Sequence, residues 1–279
     1  MANILIIGCG AIGTQLARVL TQQGHSVTGV KRNPPPSDEI IHYVRADIRS
    51  SADTAQLPTD IDHLFFIVSA DGRTGQSYRD VYDIGLNNVL DRFAQVPCIF
   101  VSSTSVYAQS QGEWVDENSP AQPDNPNSQF IRQAEQQLIA LNPHNTVVRF
   151  SGIYGRGRNY LLNRAKQSPV IQHTPAYFTN RIHQDDCVSV LAFLLEKKCA
   201  GVALDNYYLA SDDDPAPTYQ VMSWLAQQLN RPAPSIKPIA SDDTMNKRCS
   251  NQRLKKLGYQ FIYPGYKDGY GYELKHLHD

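Results

Sequence analysis

The sequence predicts an α/β protein: a doubly wound, mostly parallel sheet with a small C-terminal lobe. Two observations predict it. Short, mostly apolar runs recur at residues 4–7, 27–30, 64–68, 98–101 and 146–150, and longer amphipathic stretches separate them. A strand covered by helices on both faces is apolar on both sides, so its sequence reads solid rather than alternating. The intervening stretches carry helical spacing. Ile12, Leu16, Val19 and Leu20 fall on one face, Val81, Ile84 and Leu90 on a second within a helix over 78–93, and Ala134, Leu138 and Leu141 on a third.

After Phe150 this rhythm breaks. A Gly- and Arg-rich turn at 152–158 leads through a polar segment to a helical run at 188–196, with Asp185 or Asp186 as its expected N-cap. A turn at 211–215 then precedes a helix carrying Val221, Trp224, Leu225 and Leu229, closed by Arg231-Pro232-Ala233-Pro234. The expected division is a domain over 1–152, to which 182–210 returns, and a small lobe made of 153–181 and 211–279.

Gly8-Cys9-Gly10-Ala11-Ile12-Gly13 lies directly between the first apolar run and the first helical pattern. That position predicts the dinucleotide-binding turn of a Rossmann-type sheet. Its first glycine permits the tight turn, the second lets the backbone approach a pyrophosphate, and the third lets the helix pack on the strand, its N-terminus facing the phosphates. The second run ends in Val30-Lys31-Arg32, where an acidic residue would accept from the ribose of NAD. Two basic residues there match a 2′-phosphate, so NADP is the expected cofactor and NAD the weaker match; solvated surface charge is the other reading of the pair. Asp47, after the third strand, is a candidate acceptor for the adenine amino group or an ordinary loop aspartate. Ile48, Val68, Ser69, Ala70, Ser102 and Phe150 complete the expected cofactor contacts.

Bulk properties narrow the partners. Lys plus Arg number 26 against 27 Asp plus Glu, so there is no basic surplus for a nucleic-acid backbone. The apolar runs are too short to span a membrane. Five cysteines without a Cys-x-x-Cys pair point to free thiols and a cytoplasmic setting. No His, Cys or carboxylate group has metal-ligand spacing; His276 and His278 sit in the tail.

Several blocks taken together resemble the short-chain dehydrogenase/reductase superfamily in its extended, epimerase/dehydratase-like branch. Val101-Ser102-Ser103-Thr104-Ser105-Val106-Tyr107 resembles the Ser-Ser-x-x-Val-Tyr block of that branch. The segment from Arg149 to Arg158 is similar to its Arg-x-x-x-(Val/Ile)-Tyr-Gly-Pro-Gly-Arg block, with Arg156 in place of proline. Arg181-Ile182-His183-Gln184-Asp185-Asp186 resembles its Ile-His-Val-Asp-Asp segment, and 254–258 its closing Leu-Gly helix. The superfamily's chemistry rests on a Ser or Thr, a Tyr, and a Lys four residues after that Tyr. Ser103 matches the first, but alignment through Glu135 puts Asn127 at the Tyr position and Ile131 at the Lys position.

The chain therefore resembles most the atypical members of the superfamily, of the YeeZ kind, which retain the glycine loop and lose much of the catalytic set. That resemblance implies NADP binding and an Asp at the superfamily's active-site Asn, for which Asp83 is the candidate, with Tyr82 in the alternative register. The expected catalytic residues are Ser103, Tyr107 and Asp83. Ser103, Tyr154, Arg156 and Arg158 are the expected substrate contacts, the two arginines suiting an anionic group. Local structural duties are the competing reading for each. Two functions from different classes follow: an NADP-dependent oxidoreductase or epimerase/dehydratase-like enzyme acting on a small carbonyl or hydroxyl substrate, or a non-catalytic NADP-binding sensor or scaffold. Analogy with extended relatives adds a homodimer as a further expectation.

Overall fold

The computed structural model describes residues 1–237 and 246–276; His278 lies outside the described residues. The chain forms two compact units. One comprises Met1–Val106, Gln122–Arg149 and Val188–Tyr208, the other Tyr107–Ala121, Phe150–Cys187 and Leu209–Asp279. Residues 107–121, which the sequence reading assigns to the nucleotide-binding domain, thus fall in the second unit.

The first unit is built on a seven-stranded sheet. Strands β1 (Asn3–Ile7), β2 (Ser26–Lys31) and β3 (His42–Arg45) lie side by side, while β4 (His63–Phe66) pairs with the other edge of β1 and is followed outward by β5 (Cys98–Ser103), then Thr146–Phe150 and Tyr207–Ala210. The pairs β1–β2, β2–β3, β1–β4 and β4–β5 are parallel. The order reverses between β1 and β4, and ligands of open α/β sheets bind at such a switch point, beyond the strand C-termini. Ile4, Leu5, Ile6 and Ile7 are all 0% exposed. Full burial of each such side chain contributes about 1.5–3 kcal/mol, which is why the run is uninterrupted.

Helix α1 (Ala11–Gln22) buries Ile12, Leu16 and Leu20 as its spacing predicts. The helix expected over 78–93 is instead three consecutive pieces. After α2 (Ser51–Thr54), α3 (Gly75–Arg79) runs into a π-helical segment, Asp80–Gly85, and then α4 (Leu86–Phe93). A π turn holds an extra residue and rotates the faces that follow it. Val81, Tyr82, Gly85, Leu86 and Val89 are therefore buried, while Ile84, expected on the core face, is 37% exposed. Leu141, at the end of α5 (Pro126–Leu141), is likewise turned out.

Glu135, on α5, has no exposed surface. Its carboxylate accepts from Ser102 Oγ (2.5 Å), from Arg149 Nε and Nη2 (2.9 and 2.7 Å) and from Arg132 Nη1 (2.9 Å). Both guanidinium groups also lie over the Tyr207 ring. This network joins α5 to β5 and to Thr146–Phe150 with every carboxylate oxygen in use.

In the second unit, Tyr154, Leu162, Val221, Met222, Leu225, Tyr266 and Tyr270 belong to a separate core. The expected cap of the helix Gln184–Cys199 is corrected here. His183 Nδ1 accepts the Asp185 N–H (3.2 Å) while its Nε2 faces Glu273 Oε1 (3.0 Å), so the imidazole occupies the capping position. Asp186 turns away from the helix end. Its carboxylate accepts from the Tyr259 hydroxyl and from the amides of Ile262 and Tyr263, at 2.8–3.0 Å.

Removing one partner of a buried charge network leaves the other uncompensated. Glu135→Ala is therefore expected to lower the unfolding free energy by about 3–5 kcal/mol in a urea titration. Asp83→Ala, which breaks a half-exposed pair with Arg79 and a hydrogen bond from Asn87, should cost about 1 kcal/mol in the same measurement.

Candidate functional site

The turn from β1 into α1 is locked from beneath. The amides of Gly8 and Cys9 both donate to Val30 O (3.2 Å each), and Gly10 N donates to Gly8 O (2.9 Å). Gly8 has φ +99°, and a Cβ there would stand 2.7 Å from Ile67 O at the end of β4. A Cβ on Gly13 would stand 2.3 Å from Gly8 O, closer than the helix can tolerate. Gly10 differs: a Cβ there would meet nothing within 4 Å. These two kinds of glycine divide the work of the motif, Gly8 and Gly13 allowing the chain to close on itself and Gly10 leaving its outer surface clear.

Helix α1 has no side-chain cap at Gly10 and no acidic residue in its first turn. Its leading amides and the positive end of its dipole are thus available to an anion. Cys9 points the other way. Its thiol lies against Ile6 O and the space beside Gly29, and burial pushes its pKa up to about 12, so it is a core filler and not a thiolate.

A cleft of about 460 Å³ opens over this turn, within the ~300–1,000 Å³ range of small-molecule sites. Gly8, Gly10, Lys31, Arg32, Asp47, Ile48, Val68 and Ser69, eight of the expected cofactor residues, line it. Ala11, Ile12, Gly13, Ala70, Ser102 and Phe150 are not among its walls. Gly13 acts through packing, and the Ser102 hydroxyl is committed to Glu135. The opposite wall was not foreseen: Asp71, Thr74, Gln76, Ser77 and Asp80 come from the loop after β4, from α3 and from the π-helical segment. Their only signal in the sequence is a polar stretch between two apolar ones.

A side pocket of about 410 Å³ adjoins the cleft and shares Arg32, Asp47 and Arg49 with it; Asn33, Arg45 and Asp53 complete its lining. Arg32 makes a two-pronged pair with Asp71, with Nη2 2.9 Å from Oδ1. Arg49 does the same with Asp47, Nε lying 2.9 Å from Oδ1, and its backbone N–H donates to the same oxygen at 3.0 Å. These bonds hold both carboxyls below the usual carboxylate range.

Ser103, at the end of β5, is half-buried; its Oγ accepts the Ser105 N–H (3.1 Å), which leaves the hydroxyl proton for another acceptor. Asp83 faces out and is engaged by Arg79 and Asn87, whereas the neighbouring Tyr82 is buried with its hydroxyl 3.4 Å from Val68 O. Asn127 is a structural anchor: its Nδ2 donates to Arg73 O (2.9 Å), while Ile131 is 5% exposed in the core.

The remaining expected residues belong to the second unit. Tyr107 is fully buried and donates to Asp116 O (2.7 Å). Tyr154 is buried against Gly269 and stacked on Tyr270 (4.3 Å), with burial pushing its pKa up. A phenol used for proton exchange needs the opposite shift. Arg156 and Arg158 are exposed on the turn at 155–158, which Gly155 and Gly157 take through positive φ, and Phe150 is buried at its strand end.

The profile of the NAD dependent epimerase/dehydratase family matches residues 4–209. The chain belongs to that family. A structure described as a putative NAD-dependent epimerase/dehydratase from Methylobacillus flagellatus is 33% identical, with a TM-score of 0.84 over 100% of this chain and 99% of that one. A functionally unknown conserved protein from Silicibacter pomeroyi DSS is 26% identical, with a TM-score of 0.76 over 100% of both chains. UDP-N-acetylglucosamine 4-epimerase from Bacillus cereus, 16% identical with a TM-score of 0.81 over 100% of both chains, shares the fold. No curated protein matches the chain. Among the described residues, no cluster of three or more His, Cys, Asp or Glu suited to a metal is present, and no helix is long and apolar enough to cross a membrane.

The two kinds of glycine make a clean prediction for this family member. Gly10→Ala, at φ −76° and in open space, should leave thermal stability unchanged or raise it by up to about 1 kcal/mol. Gly13→Ala, with its 2.3 Å clash, should lower the melting temperature clearly in the same scan.

Proposed function

We propose that this protein binds NADP(H) along the cleft of its first unit and acts as an oxidoreductase or epimerase/dehydratase-like enzyme on a small carbonyl- or hydroxyl-bearing substrate. The observation that carries the reading is the glycine turn, open at Gly10, beside a pocket with arginines on its walls. In this reading the turn and the α1 amides hold the pyrophosphate, Asp47 accepts from the adenine amino group, and the basic end of β2, Lys31 with Arg32, favours the phosphorylated ribose. When bound, the nicotinamide accepts or returns a hydride. Ser103 donates its hydroxyl proton to the substrate oxygen and holds it in place. Family membership supports a nicotinamide cofactor; the basic residues favour the 2′-phosphate form.

A second reading has an observation of its own. The positions that carry Tyr and Lys in the superfamily hold Asn127, whose amide is bonded to Arg73 O, and the buried Ile131. Neither exchanges a proton. A cofactor-binding sensor that keeps the cleft without the chemistry accounts for both.

Titration with NADPH and NADH, followed by nicotinamide fluorescence and thermal shift, tests the cofactor reading. NADPH at 100 times its Kd should stabilise the fold by about 2.7 kcal/mol, with NADH weaker, and Gly10→Ala should weaken both. Equal affinity, or a preference for NADH, removes the phosphate assignment. Where a substrate panel reveals turnover, Ser103→Ala should lower kcat by about a hundredfold or more at unchanged NADPH affinity; an unchanged kcat removes Ser103 from the chemistry. Absence of turnover at saturating NADPH favours the sensor.

A further inference from the structure

We infer that Arg49 selects the phosphorylated cofactor: the 2′-phosphate enters the side pocket among Arg32, Arg45, Arg49 and Asn33 and takes the place of Asp47 on the Arg49 guanidinium. This rests on the NADP reading and reassigns its key contact, because Lys31 then serves the pyrophosphate end and does not discriminate.

Placement argues for it first. The side pocket shares Arg32, Asp47 and Arg49 with the cleft, so a group carried on the adenosine ribose reaches it without leaving the binding groove. Lys31 is absent from its lining. That lysine lines the cleft with Gly8 and Gly10, and its charge acts on the Cys9 thiol within the glycine turn.

The second argument is exchange. Arg49 is held by Asp47, two residues away, in a pair whose side chains are 45% and 29% exposed. Ion pairs this exposed contribute little and are readily replaced. A phosphate dianion offers the guanidinium fork the same two-oxygen geometry with more charge, whereas a ribose hydroxyl cannot compete with a carboxylate. Asp47 need not move, since its Oδ1 also accepts the Arg49 backbone N–H, and releasing the guanidinium frees acceptor capacity for adenine. Asp53, the other acid on the pocket wall, is already occupied by the Asp47 N–H and the Ser50 hydroxyl. Arg49, exposed in the segment after β3, thus supplies the discriminating charge from a position that the sequence reading did not consider.

The test is titration of the wild-type protein, Arg49→Gln and Lys31→Gln with NADPH and with NADH, with a melting curve for each to establish folding. Arg49→Gln should weaken NADPH by about tenfold or more, the loss expected for a hydrogen bond between charged groups, and leave NADH within about twofold. Lys31→Gln should weaken both by a similar factor. If Arg49→Gln keeps the wild-type preference for NADPH, or Lys31→Gln abolishes it, the assignment to Arg49 is overturned while the NADP reading stands. If the wild-type protein shows no preference for NADPH, the NADP reading itself fails and this inference with it.

Discussion

The chain can leave β1 and enter α1 only if two backbone segments approach more closely than side chains permit. Gly13 packs on the carbonyl of Gly8, and Gly8 packs on the carbonyl of Ile67 at the end of β4. That contact sits where the sheet order reverses, so it sets the start of α1 against both neighbouring strands. The walls of the cleft follow from it: the amides of Gly8 and Cys9 are tied to Val30, which fixes where Lys31 and Arg32 emerge. Asp47 and Arg49 come next, because β3 is registered on β2 with Lys31 opposite Arg45. Side-chain chemistry at the site is therefore a consequence of a backbone approach that only glycine allows.

A second constraint acts within the first unit, on α5. Glu135, Arg149, Arg132 and Ser102 satisfy one another in the interior, and this fixes α5 against β5. The fold keeps that buried network while the residues one and two turns earlier on α5 have taken structural duties. Asn127 pins the loop at Arg73, and Ile131 joins the core. Scaffold and reaction are thus separable on a single helix, which is why family membership does not by itself carry the chemistry.

Much of this was legible in the sequence for a physical reason. Strands buried on both faces must be solidly apolar, and β1, β4 and β5 carry such stretches, whereas β2 is interrupted at Thr28; the glycine spacing states a close approach that no other residue permits. β3, His-Tyr-Val-Arg, lies at the sheet edge with no residue fully buried, so it has no such run. The π-helical turn was invisible because helical periodicity assumes a constant rotation per residue, and a single wide turn moved Ile84 to the surface and Tyr82 inward. Arg49, Asp71 and Asp80 were missed because they come from loops and an irregular helix with no periodic signal. Tyr107 and Tyr154 matched family blocks, yet a motif states which residue stands at a position and not what covers its hydroxyl; here those are Asp116 O and Gly269.

The central claim is that the cleft over the glycine turn is the cofactor site, and amide hydrogen exchange with and without NADP⁺ tests it most directly because it reports location as well as binding. The account predicts slowed exchange confined to residues 8–14, 31–33, 45–49 and 67–81, which line the cleft, with a weaker effect from NAD⁺ at 31–33 and 45–49. Protection elsewhere, or none at saturating NADP⁺, would contradict it.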